Sequence, residues 1–103
     1  MEEQIEVVDN RQEQIKNAEM MQSLIDDDRF KHLFQEIFID AFAITNVYNA
    51  WTYDDTQRRS FLEKTMARST FVRFIDEVLE DGRSAIQSIH ADQAEEQDNE
   101  DYE

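Results

Sequence analysis

Cysteine and proline are absent from this 103-residue chain, and glycine occurs once, at Gly82. Without cysteine or a histidine cluster, neither disulfides nor a structural zinc site can supplement the core, so packing or association with another chain has to hold the fold. The lack of cysteine fits an intracellular protein. Because the residues that punctuate sheets and long loops are nearly missing, helices are expected throughout. The opening MEEQIEVVDN has neither the basic nor the apolar region of a signal peptide, and no apolar run approaches the roughly 20 residues that span a bilayer. A soluble, cytoplasmic protein without membrane contact is expected.

Enzymatic signatures are missing as well. Cysteine nucleophiles are excluded, a serine triad has only His32 and His90 to draw on, and no glycine pattern marks a nucleophile elbow. One glycine cannot build a P-loop or a dinucleotide turn. The carboxylate pairs Glu36/Asp40, Asp76/Glu80 and Glu77/Asp81 have helical spacing. They lack the Glu-x-x-His partners of a di-iron bundle and the alternating oxygen donors of a calcium loop, so they read as solvated helix faces. His32 and His90 read as ordinary surface or boundary histidines. No catalytic residue, metal or cofactor is expected, and the chain reads as a non-enzyme.

Charge is abundant but unevenly placed. Of the formal net −15, residues 1–9 contribute −4, residues 91–103 contribute −7 and residues 10–90 only −4. Domain boundaries follow: a frayed acidic N-terminus over 1–9, a helical domain over 10–90, and a disordered acidic tail over 91–103. Direct binding to nucleic acid is disfavoured, because basic residues must neutralise phosphates to generate affinity. Arg58, Arg59, Arg68 and Arg73 concentrate what positive charge there is. They read chiefly as partners of local acids, and otherwise as a contact for a phosphate or an acidic surface.

The densest apolar stretch runs from Asp28 to Trp51 as DRFKHLFQEIFIDAFAITNVYNAW. Phe30, Phe34, Ile37, Ala41, Ile44 and Tyr48 recur at helical intervals and Phe38 and Phe42 widen the stripe, which predicts a central helix. Before it, Ile15, Ala18, Leu24 and Ile25 predict an amphipathic helix over about 10–26, with Ile5 and Val8 as a frayed extension. Asp27 or Asp28 is placed to cap the central helix, and the first two helices are expected to fold back on each other. The central helix should end near Asn46 to Asn49, with Trp51 to Asp55 as the turn. Asp54 and Gln57 have capping-box spacing, which starts a third helix with Phe61, Leu62, Thr65 and Met66 as its inner face. A break at Ser69-Thr70 is expected, with uninterrupted helix as the alternative. Gly82 either stops that helix or lets a neighbour approach. The predicted fold is all-α, a small bundle of three or four helices with disordered acidic termini.

Tyr48, Trp51 and Tyr53 cluster at the central turn, where they either plug the open end of the bundle or anchor an interface. Together with Arg58 and Arg59 they are the candidate partner-binding residues. The leading functional expectation is a protein-binding factor that buries surplus apolar surface against a partner with a basic surface or against a second copy. The alternative is an acidic mimic that occupies the nucleic-acid site of another protein.

The order of a polar first helix, RFKHLFQEIFIDAF, a short turn, RRSFLEKTMARSTFVRFIDEVLEDGRSAIQSI and an acidic tail resembles small acidic helical proteins of tailed bacteriophages. The likeness spans roughly Ala18 to Ala91 through helix pattern and scattered positions such as Phe30-Lys31, Phe71, Phe74 and Gly82 to Ala85. It departs from that pattern in the aromatic-rich centre and in NVYNAW. The resemblance implies a small interaction or assembly factor working beside capsid or portal proteins in the host cytoplasm, and it implies no catalytic residue.

Overall fold

The computed structural model describes the backbone of residues 9–101 and the side chains of residues 9–96. The chain is all-α, with three helices and no strand among the described residues. The expected fraying of residues 1–9, with its extension through Ile5 and Val8, lies almost wholly outside that range. Helix α1 spans Arg11–Asp26. Helix α2 runs over 28–49 in three stretches, α-helical Asp28–Phe30, π-helical Lys31–Ala41 and α-helical Phe42–Asn49, and a 3-10 turn Ala50–Thr52 follows it. Helix α3 spans Asp55–Asp101. Among the described residues no helix is long and apolar enough to cross a membrane.

The starts of α2 and α3 are written in local side chains. Asp27 is extended at φ −73°, ψ 125°, and its carboxylate accepts from the Arg29 backbone N–H at 2.8 Å. The Arg29 guanidinium folds back onto the same carboxylate, and that bond, with the backbone N–H second, holds Asp27 well below the usual carboxylate range. At α3 the predicted capping box is in place. The Asp54 N–H donates to Gln57 Oε1 at 2.9 Å and the Gln57 N–H donates to Asp54 Oδ1 at 2.8 Å.

One expectation for α3 is corrected. No break occurs at Ser69-Thr70: the Thr70 hydroxyl donates to the Met66 carbonyl one turn back, at 2.9 Å, so it serves the helix already running and does not cap a new one. The helix runs past Ala91 to Asp101. Within it Asp92 accepts from Arg11 at 2.6 Å.

Contacts divide the chain into two units, residues 1–22 with 76–103, and residues 23–75. In the first, α1 runs antiparallel to the later part of α3. Arg11 reaches Ser88 and Asp92, while Ala18, two turns on, meets Gly82. A Cβ on Gly82 would fall closer to the Ala18 Cβ than real carbons approach and 3.2 Å from the Gln14 carbonyl oxygen. Gly82 therefore permits close approach and does not stop the helix. Gly82 and, three residues on, Ala85 are both buried.

In the unit 23–75, α2 runs antiparallel to the earlier part of α3. Phe30, Phe34 and Phe38 stack in series at centroid distances of 5.1 and 5.6 Å, Phe34 meets Phe71 at 5.0 Å, and Phe42 meets Phe61 at 5.9 Å. Rings spaced strictly by four residues drift about 40° per step around a 3.6-residue helix. The wider i→i+5 turn of the π-helical stretch takes that drift back and keeps the four rings on the side of α3.

That winding corrects the predicted stripe. Phe30, Phe34, Phe38 and Phe42 face α3 and are half-buried, whereas Ile37, Ala41, Ile44 and Tyr48 are exposed. On α3, Phe61 and Thr65 are half-buried as predicted, but Leu62 and Met66 are exposed. The single residue Asp27 separates α1 from α2, and each packs against α3 within its own unit.

Candidate functional site

Arg68 ties the two helices of the unit 23–75 together. Its guanidinium carbon lies 4.2 Å from the Phe38 ring centroid and 3.7 Å from that of Phe42, its Nε–H donates to the Phe38 carbonyl at 2.7 Å, and a terminal N–H donates to the Lys64 carbonyl at 3.1 Å. The cation is satisfied by ring faces and carbonyls, an arrangement suited to a planar guanidinium. The sequence places Arg68 among arginines pairing with acids. What it hides is that the phenylalanine ladder leaves a slot of guanidinium width.

Beside Arg68 an open groove of about 360 Å³ runs between the helices. Ile39, Ala43 and Val47 line it from α2, and Phe61, Thr65 and Val72 from α3. Its only deeply buried polar atom without a partner is the Thr65 hydroxyl, among the described residues. Across the Phe42–Phe61 contact lies a second hollow, of about 350 Å³, lined by polar groups of Asn46, Tyr53, Gln57 and Lys64. One side of the hairpin is thus apolar and the other polar.

The predicted partner-binding residues separate into three groups. Tyr53 closes the hairpin: it is half-buried, its ring lies 6.4 Å from that of Phe61, and its hydroxyl donates to Asn46 Oδ1 at 2.6 Å. Asn46 is buried, and its amide donates to the Phe42 carbonyl at 2.6 Å. Tyr48 and Trp51, by contrast, are 75 % and 84 % exposed. Arg58 pairs with Asp55 at 3.3 Å, one turn back on the same helix, and Arg59 is exposed beside it. His32 Nδ1 lies 2.6 Å from Glu36 Oε2 on the surface of α2.

Sequence reasoning missed Asn46, the one buried polar side chain among the described residues. That α2 carries apolar surface on more than one face was legible in Ile37, Phe38, Ile39, Phe42 and Ala43, since neighbours on a helix cannot share a face. No protein-family model, curated protein or solved structure matches the chain.

Proposed function

We propose that the chain is a non-enzymatic protein-binding factor that works through the apolar surface of residues 23–75. One observation carries this reading. In that unit only Asn46 and Ile75 are buried, while α2 and the turn that follows it leave Leu33, Ile37, Ile44, Val47, Tyr48 and Trp51 open to water. Monomeric proteins rarely expose contiguous apolar patches beyond about 300–600 Å² unless the patch is used. A partner seated there completes the helical bundle that the hairpin begins. The acidic residues outside this unit steer the encounter toward a basic partner surface. With the resemblance to small acidic phage proteins, the reading becomes an accessory factor in virion assembly, acting in the host cytoplasm.

Capture from the producing cell by the wild-type chain and by Val47→Asp tests it. Val47 lines the groove and is exposed, so a charge there costs the hairpin little while spoiling a docked apolar segment. Partners held by the wild type at high salt and lost by the variant support the reading. Equal capture by both, with unchanged helicity, overturns it. The acidic-mimic alternative draws support from the helical course of α3 to Asp101, which sets Asp92, Glu95 and Glu96 on a regular frame. Competition with DNA or RNA for the captured partner separates the two readings.

A further inference from the structure

We infer that the outward stripe of α2 takes the α2 of a second copy, antiparallel, about a two-fold axis near the Asp40-Ala41 peptide. This rests on the protein-binding reading above and assigns an occupant to the face of α2 that the Val47 groove does not use. The argument begins with winding. Because the π-helical stretch keeps the phenylalanines on α3, the stripe Leu33, Ile37, Ala41, Ile44 and Tyr48 faces away from it, and its large members are 49–75 % exposed. A helix apolar on two opposite faces has to be covered on both.

The stripe is symmetric in its own sequence. Ile37 and Ile44 stand equidistant from the Asp40-Ala41 peptide, and so do Leu33 and Tyr48. A two-fold interface demands this self-complementarity, in which residue i meets j and j meets i. Antiparallel pairing sets Ile37 against Ile44 and Leu33 against Tyr48, twice each, with small Ala41 at the crossing. It also brings Lys31 of one copy beside Trp51 of the other, a cation over an indole face.

Size and charge agree. With Trp51 included, the open side chains offer on the order of 700 Å², against the roughly 800 Å² per partner of a standard interface. Residues 23–75 hold eight acids and seven bases, a net −1, whereas the rest of the chain holds seventeen acids and three bases, a net −14. The stripe therefore lies in the part of the chain where a like copy meets least repulsion. Within the stripe the adverse feature is Asp40, which the axis brings near its own symmetry mate and whose carboxylate is held by Gln35 at 3.0 Å.

Sedimentation of the full chain over micromolar to submillimolar concentration gives the first reading, with twice the 12.3 kDa chain mass expected. Ile44→Glu should weaken the dimer at least tenfold with helicity retained, and Asp40→Asn should tighten it severalfold. Added salt should also tighten it, by screening the −15 charge of each copy, the opposite of its effect on a basic partner. The chain has no cysteine, so single introduced thiols report register. Under mild oxidation Ala41→Cys should link to itself, and Leu33→Cys should link to Tyr48→Cys but not to itself. Self-linking of Leu33→Cys, or a monomer throughout the range, overturns the pairing. A monomer whose Val47-dependent capture of another protein persists sinks this inference alone, and a monomer without such capture sinks the protein-binding reading too.

Discussion

Gly82 and Ala18 meet across α1 and α3 so closely that the glycine has no room for one methyl group. Gly82→Ala should therefore destabilise the chain, even though alanine is the better helix former by about 0.8–1 kcal/mol. Forcing the helices apart costs about 1–3 kcal/mol, so a net loss of about 1 kcal/mol is expected in urea unfolding. The double variant Gly82→Ala with Ala18→Gly should recover most of it. A stabilised single variant would refute the contact.

Arg68 holds two rings and two carbonyls with one side chain. Arg68→Ala should cost about 2 kcal/mol, from a partly desolvated cation over rings and a charge-assisted hydrogen bond. Arg68→Lys should restore less than half, because an ammonium cannot lie flat between rings while donating sideways to Phe38. Thermal unfolding at one fixed protein concentration compares the three chains.

Tyr53 and Trp51 stand two residues apart and should respond unequally to truncation. Tyr53→Phe strips the buried Asn46 oxygen of its donor, at a cost of about 1–2 kcal/mol. Trp51→Ala, measured at high dilution so that association does not contribute, should change unfolding by no more than about 0.5 kcal/mol. Equal effects would mean that both rings plug the hairpin end.

Asp27 should titrate below the ordinary carboxylate range because of the Arg29 side chain and, second, the Arg29 N–H. A depressed folded-state value means that its contribution to stability is present above the unfolded value, about 3.9, and is lost as the pH falls through the folded one. Carboxyl-carbon shifts followed by NMR give the midpoint directly. In Arg29→Ala that midpoint should move up toward the unfolded value, and an unchanged midpoint would count against the pairing.

What was legible in the sequence was local. The Asp54/Gln57 box and the Asp27 cap need only residues two or three apart, and both are in place. Gly82 was undecidable because the helical spacing is the same on both sides of it, and only Ala18, more than sixty residues away, settles the matter. Ser69-Thr70 suits a cap and a helix interior equally well until the Thr70 hydroxyl is seen bonded to Met66. The largest surprise, the outward turn of Ile37 and Ile44, follows from how tightly α2 is wound, which a 3.6-residue period does not reveal. Similarly, Tyr53 and not Trp51 closes the hairpin because Asn46, seven residues back, offers it an oxygen.

The slack coil over Lys31–Ala41 has a consequence for chain length. A residue removed there can be absorbed by tightening toward ordinary α geometry, losing one ring step while Ile44 and Val47 keep their bearings. Removing one from the uniformly wound α3 instead swings every later side chain by about 100°. Natural length variants should accumulate in the former and be purged from the latter.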